Sequence, residues 1–434
     1  MQIQELYSKY LQSSGITTDT RKIEVGSMFF ALKGERFNAN EFAEKAVLAG
    51  AAFVVVDELT NPAWRDLYKE KIIQVEDVLA TMQQLAGYHR LQFKFPVLAI
   101  TGSNGKTTTK ELVAAVLAKK FKTAFTFGNL NNHIGIPVTL LGIDKEQTEF
   151  AVIEMGANHQ GEIASYCEYV QPDFGLITNV GLAHIEGFGG FEGVIKGKTE
   201  LYHNISSTSQ GKIFLNKDNQ ILCEKANAMG LSAAQTITYG QNTSAVYSGT
   251  IVPTEEFLTI QVNGHVIQSN LVGDYNFENA MSAIAIGQYF NVPMADIKSA
   301  IENYFPSNNR SQKITRGTTT IILDAYNANP SSMAEALKNF AKLTAPKKMI
   351  ILGEMMELGQ YAEEEHKKIK SITESMSLAK CVFVGNGFLF TAADSNNLWF
   401  ENAATTKTWL NQQDLEDFAI LIKGSRKNEL EKVL

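Results

Sequence analysis

The apolar residues of this chain come in short runs separated by stretches with helical spacing. The runs at 28–34 (MFFALKG) and 51–58 (AAFVVVDE) are too short for helices, and with a helical pattern at 41–48 between them they predict a small α/β unit. Helical spacing at 81–93 leads into FPVLAITG, where residues 97–100 are apolar without alternation, the mark of a strand covered on both faces. From there strands and helices alternate: 123–127, 150–154 and 174–178 are predicted strands, with helices after Gly105, at 163–169 and at 194–203. Such alternation predicts a doubly wound parallel sheet. GDYNFENAMSAIAIGQYF at 273–290 predicts a further helix, and the Asn-rich PSNNRSQ at 306–312 a linker. Beyond the linker the alternation restarts, with strands at 319–323, 349–352, 381–384 and 418–422, which predicts a Rossmann-like unit. The expected fold is α/β with three domains: a small N-terminal α/β domain (1–93), a central doubly wound parallel-sheet domain (94–307) and a C-terminal Rossmann-like domain (308–434).

Three domains suit a chain of 434 residues, and 44% apolar with 20% charged residues is the composition of packed globular cores. A net charge of -7 without a basic stripe argues against nucleic acid as a partner. Cys167, Cys223 and Cys381 are far apart and without metal-ligand spacing, which fits a reducing compartment and no disulfide framework. The N-terminus has neither a basic nor an apolar targeting region, and no stretch reaches the roughly 18 apolar residues of a membrane span. The expectation is a cytoplasmic protein not inserted in a membrane.

Directly after the strand at 97–100 comes TGSNGKTTT, followed by a helix with Leu112, Val113, Val116 and Leu117 on one face. Strand, glycine loop and helix stand in the order that a phosphate cradle needs. Gly102 and Gly105 let backbone N–H groups turn toward an anion, the helix N-terminus adds partial positive charge, Lys106 reaches the β/γ-phosphates and Thr107 offers a hydroxyl to Mg2+. The loop departs from G-x-x-x-x-G-K-[ST], since Ile100 stands five before Gly105, and a glycine turn capping a helix is the plainer alternative.

Ligands of a doubly wound sheet collect at the carboxyl ends of its strands. Glu154 closes the strand AVIE and His184 follows the strand GLIT, so a carboxylate and an imidazole stand where, with Thr107 and phosphate oxygens, they could complete a Mg2+ shell. The alternatives are an acid at a helix N-terminus for Glu154 and a hydrogen-bonded loop histidine for His184.

Taken together, TGSNGKTTT, GNLNNHIGIPVTLL, EMGANHQGEI, TNVGLAHIEGFG and GVIKGKTEL resemble the Mur ligase family, the ATP-dependent amide-bond synthetases of peptidoglycan precursor assembly. The compact G-x-N-G-K-T loop is that family's variant. TDTRKIEVGSMFFALKGERF, LDAYNANPSSM, LGEMMELG and IKGSRKNELEKVL extend the resemblance over nearly the whole chain, toward the member that joins D-alanyl-D-alanine to UDP-N-acetylmuramoyl-tripeptide. The D-N-P-R tetrapeptide of the tripeptide-forming relative does not occur.

The resemblance implies that Gly102, Ser103, Asn104, Gly105, Lys106, Thr107 and Thr108 form the ATP loop of a central ATPase domain. It implies that Thr107, Glu154 and His184 hold Mg2+, and that Lys198 is carbamylated, giving an oxygen ligand for a second Mg2+; without it, Lys198 reads as a solvated helix lysine. Lys106, Lys198, His184 and Glu154 are the implied catalytic set. Asn279, Arg310, Asp324, Tyr326 and Asn327 join the nucleotide site, an Asx-rich turn with an N-cap at Ser331 being the alternative for the last three. Thr20, Arg21, Lys33, Gly34 and Arg36 are implied for the uridine diphosphate, and Asn131, Asn132, Lys423, Ser425 and Arg426 for the other substrate groups; salt bridges and a plain strand-to-helix turn are the alternatives. The implied reaction passes through an acyl phosphate, in a monomer that closes about pivots near Phe93 and Asn308.

Overall fold

A computed structural model describes residues 2–208, 210–254, 257–306, 309–394 and 396–434. The predicted pivot at Asn308 lies outside the described residues.

The N-terminal unit is built on four parallel strands in the order Ile16–Thr17, Met28–Phe30, Phe53–Val56 and Ile72–Gln74. The apolar run at 28–34 does not stay one strand. Met28–Phe30 is fully buried, and the chain then turns so that Lys33–Gly34 pairs antiparallel with Phe37–Asn38. Helix Val78–Arg90, capped by the Asp77 carboxylate accepting from Ala80 N at 2.8 Å, lies against helices Gly135–Leu141 and Glu162–Val170 of the next unit. Its last turn is fastened there. His89 meets Tyr7 Oη at 3.0 Å and the Ile143 carbonyl at 2.9 Å, and Arg90 pairs with Asp173 at 2.9 Å while donating to the Val170 carbonyl.

The central sheet has seven strands, all parallel, in the order Tyr247–Ser248, Thr236–Gly240, Lys212–Asn216, Phe174–Ile177, Val97–Thr101, Phe150–Glu154 and Thr123–Phe125. Every residue of Val97–Thr101 and Phe150–Glu154 is buried, which is why their sequences show no alternation. Val97–Thr101 lies between Phe150–Glu154 and Phe174–Ile177, so the loop at its carboxyl end faces those of both neighbours, the switch-point position where such sheets bind ligands. Helix Phe277–Tyr289, preceded by a 3-10 turn at Asp274–Asn276, packs along helix Lys106–Leu117.

Sequence patterning missed an antiparallel sheet of Thr250–Val252, Phe257–Val262 and His265–Val272, and in the central sheet it named none of the strands Lys212–Asn216, Thr236–Gly240 and Tyr247–Ser248. It also read all of 306–312 as linker, whereas Gln312–Arg316 forms the antiparallel edge of the C-terminal sheet. That sheet continues with the parallel strands Thr319–Asp324, Phe418–Lys423, Lys347–Gly353, Lys380–Val384 and Leu398–Phe400. Among the described residues no helix is long and apolar enough to cross a membrane.

Candidate functional site

The loop between Thr101 and Lys106 is shaped by two glycines whose replacement would strain the backbone and crowd its neighbours. Gly102 (φ +140°) and Gly105 (φ +77°) hold backbone conformations that L side chains rarely adopt. A Cβ would stand 2.0 Å from Thr178 Oγ1 at the first and 2.3 Å from Asn279 Oδ1 at the second. The end of the neighbouring strand fixes the loop from outside: Asn104 N donates to Asn179 Oδ1 at 2.9 Å, Thr178 Oγ1 donates to the Asn104 carbonyl at 2.6 Å, and Gly181 N donates to Ser103 Oγ at 2.9 Å. Lys106 opens helix Lys106–Leu117, and its Nζ folds back onto the carbonyls of Gly102 (2.7 Å) and Ser103 (3.1 Å). Burial pushes that ammonium down to about 8 despite the opposing charge of Glu154, with the Arg310 cation lowering it a little further. An anion placed on this loop meets a helix N-terminus, a row of amides and a desolvated ammonium.

Glu154 is 1% exposed at the tip of its strand. Both of its oxygens accept from Thr107 Oγ1, at 3.0 and 2.9 Å, and Oε1 also accepts from Asn131 Nδ2 at 2.7 Å. A hydroxyl and a carboxylate in direct contact are the donor types a hard dication takes, so this pair fits Mg2+ with phosphate oxygens and water completing the shell. His184 does not stand with it. It sits in the left-handed region (φ 54°) before a short helix, and its Nδ1 lies against the carboxylate of Glu357, which this contact holds below the usual carboxylate range. No cluster of three His, Cys, Asp or Glu residues suited to a metal exists among the described residues.

The solvated reading of Lys198 fails. Its side chain has no exposed surface, its Nζ donates to the Ala157 carbonyl at 2.9 Å, and the Phe188 ring lies 4.9 Å away. Burial, reinforced by the charge of Lys106, holds its ammonium well below the ordinary lysine value.

A cavity of about 890 Å³ separates these strand tips from those of the C-terminal sheet. Ser103 to Thr108, Asn131, Asn132, Glu154, His184 and Asn279 line it from the central side, and Arg310, Asp324, Tyr326, Asn327 and Lys423 from the other. Several of these side chains are already engaged. Asn279 accepts from Thr109 Oγ1 and donates to Asn276 Oδ1, bracing the loop. Asn132 Oδ1 accepts from the N–H groups of Ile134 and Gly135, starting helix Gly135–Leu141. Lys423 is 2% exposed and paired with Asp324. Ser425 is turned inward, its Oγ accepting from Met356 N at 3.0 Å, so its hydroxyl supports the fold. Neither Arg310 nor Arg426 has an ion pair among the described residues. Both guanidinium groups lie over the Tyr326 ring, at 3.5 and 5.5 Å, and Arg310 Nε is buried with no partner among the described residues. Of the N-terminal group, Arg21 pairs with Asp19 and Lys33 with Glu58, while Arg36 and Gly34 are exposed; neither they nor Thr20 line the cavity between the two sheets.

Sequence reasoning missed the contacts that dock the two sheets. Asn329 Nδ2 donates to Asn104 Oδ1 at 2.7 Å, so the phosphate loop is bonded directly to the C-terminal unit, and Leu182 N donates to Ser331 Oγ at 3.0 Å. It also passed over Lys110, one helical turn beyond Lys106 and fully buried, whose spacing was the available signal.

The chain matches three family descriptions: "Mur ligase family, catalytic domain" over residues 12–90, "Mur ligase middle domain" over 100–287 and "Mur ligase, glutamate ligase domain" over 309–425. A "UDP-N-acetylmuramoyl-tripeptide--D-alanyl-D-alanine ligase" of Bacillus subtilis (strain 168) is 35% identical, with 97% of this chain and 92% of that protein covered. A ligase of the same description from Escherichia coli (strain K12) is 33% identical, covering 99% and 95%. Among solved structures, MurF from Acinetobacter baumannii superposes with a TM-score of 0.86 at 29% identity over 99% of this chain and 97% of the other. From its first domain to its last, the chain belongs to the Mur ligase family.

Proposed function

We propose that this protein is the ATP-dependent, ADP-forming ligase that joins D-alanyl-D-alanine to UDP-N-acetylmuramoyl-tripeptide, completing the pentapeptide precursor of peptidoglycan. The observation that carries this reading is the end-to-end similarity to the Bacillus and Escherichia ligases of that description.

A carboxylate oxygen is a poor leaving group, so the acid must first be activated. ATP lies with its phosphates on the amides of residues 102–108, and Lys106 exchanges two carbonyl contacts for phosphate oxygens. Asp324, Tyr326 and Asn327 take the base and ribose, Asn279 serves the nucleotide by bracing the loop at Gly105, and Arg310, with Nε unpartnered among the described residues, supplies a second positive charge. The terminal carboxylate of the tripeptide attacks the γ-phosphorus in line, and ADP leaves. The amine of D-alanyl-D-alanine then attacks the acyl carbon; the carbon–oxygen bond to phosphate breaks and phosphate departs. Two Mg2+ ions, held by Thr107, Glu154, His184 and a carbamate on Lys198, would supply charge neutralisation at the phosphates. The buried amine of Lys198 is suited to that modification because only the neutral form attacks CO2, and His184 joins the set only by leaving Glu357.

The uridine diphosphate rests on Thr20, Arg21, Lys33, Gly34 and Arg36, whose exposed ion pairs are weak enough to yield to phosphate oxygens. An acyl phosphate hydrolyses readily, and closing the cavity between the two sheets excludes water from it. The proposed setting is the cytoplasm, where ATP is available, and the proposed state is a monomer.

The test is ADP release with UDP-N-acetylmuramoyl-tripeptides carrying diaminopimelate or lysine, with and without D-alanyl-D-alanine. Release that needs both the tripeptide and the dipeptide is expected. Turnover without any carboxylate substrate would mark a nucleotide switch, and stimulation by a different acceptor would mark another ligase of the family.

A further inference from the structure

Lys110 has no place in the reaction above, yet it is a charged side chain with no exposed surface. Its Nζ donates to the Gly128 carbonyl at 3.2 Å and stands 3.6 Å from Glu111 Oε1 and 3.9 Å from Glu154 Oε2, with the Phe125 ring 5.7 Å away. The other oxygen of Glu111 accepts from Tyr304 Oη at 2.7 Å. Lys110 does not line the cavity between the two sheets, so a ligand held there does not touch it.

A buried ammonium persists only beside an anion, and here the nearest anion on one side is the carboxylate that, in the reading above, faces the metal. At about 4 Å in a poorly solvated interior, one unit of positive charge offsets much of the pull that a carboxylate exerts on an approaching dication. Glu154 also accepts from Thr107 and Asn131, contacts that an incoming cation would have to compete with. Four anionic charges of a triphosphate tip the balance, because they bring oxygen ligands and negative charge together.

We propose that Lys110 is the resident counter-ion of Glu154, and that its fixed charge keeps the Thr107–Glu154 pair from capturing a divalent cation until nucleotide phosphates arrive. Metal and nucleotide therefore enter together. Lys110 is a positioning residue in this scheme, acting through Glu154, and the inference rests on the reading of Thr107 and Glu154 as metal ligands.

Mn2+ serves as the probe, with bound ion followed by its spin resonance. The unmodified protein without nucleotide should show no Glu154-dependent binding up to about 1 mM, and a nonhydrolysable ATP analogue should produce a bound signal that Glu154→Gln removes. Lys110→Met, similar in length and uncharged, should bind Mn2+ without nucleotide at least about 10-fold more tightly than the parent, while Lys110→Arg should behave as the parent. Glu154-dependent binding by the nucleotide-free parent overturns the proposal, and so does a Lys110→Met variant that gains none. Should Lys110→Met fail to fold, Lys110→Gln takes its place under the same criterion, and a Lys110→Gln variant that gains no binding likewise overturns the proposal. A bound signal with the ATP analogue that does not depend on Glu154 sinks the metal-site reading itself, a separate failure.

Discussion

Lys106→Ala is expected to lower the rate of ADP formation by about 10³-fold or more, the loss typical when a preorganised charge is removed from a transferring phosphoryl group. The effect is large because the ammonium stands at the loop itself, 2.7 Å from the carbonyl of Gly102, and only a short swing of its side chain is needed to meet phosphate oxygens. Charge grows on those oxygens as the bond to ADP breaks, so kcat should fall more than nucleotide affinity does. The backbone amides of the loop survive the substitution, and a fluorescent ATP analogue should still bind. Retained ADP formation in the alanine variant would contradict the role given to Lys106.

Turnover should likewise be lost, by about 10³-fold or more, in Lys198→Ala, and short carboxylates such as acetate or formate should restore part of it. In a lysine with no exposed surface, burial and the neighbouring Lys106 charge shift the balance toward the neutral amine, the form that reacts with CO2. Its removal leaves a space beneath the segment Gly156 to Asn158, which lines the cavity, and a small carboxylate fits the chemistry of the missing group. Normal activity in the variant removes the carbamate from the account. Loss without rescue by any carboxylate restricts Lys198 to holding the Ala157 carbonyl.

Much of the central site was legible because its signals are local. The unalternating run before Gly102 announced a strand buried on both faces, the two glycines announced the turn, and the apolar stripe of Leu112, Val113, Val116 and Leu117 announced the helix; the strand Val97–Thr101 and the helix Lys106–Leu117 follow that reading. Glu154 was placed by the same logic, as the last residue of an apolar run. What escaped depends on the chain meeting itself. Nothing near His184 announces Glu357, and nothing near Asn104 announces Asn329, because each pair forms only when the C-terminal sheet docks. Helical spacing alone left Lys198 solvated; packing of Phe188 over its helix buries it instead, with Gly197 leaving room for the ring. One miss was avoidable. Asn263 (φ 49°) and Gly264 (φ 77°) form the two-residue turn between Phe257–Val262 and His265–Val272, and Asn-Gly between alternating strands is a strong hairpin signal.

The central claim is that one glycine turn grips the triphosphate while Glu154 and Thr107 face its divalent counter-ion. A crystal structure with a nonhydrolysable ATP analogue and Mg2+ tests it most directly. The account requires phosphate oxygens within hydrogen-bond distance of the amides of residues 102–108, and Glu154 and Thr107 oriented to the cation directly or through its waters. A nucleotide bound elsewhere, with that turn empty and Glu154 directed away from any ion, would contradict it.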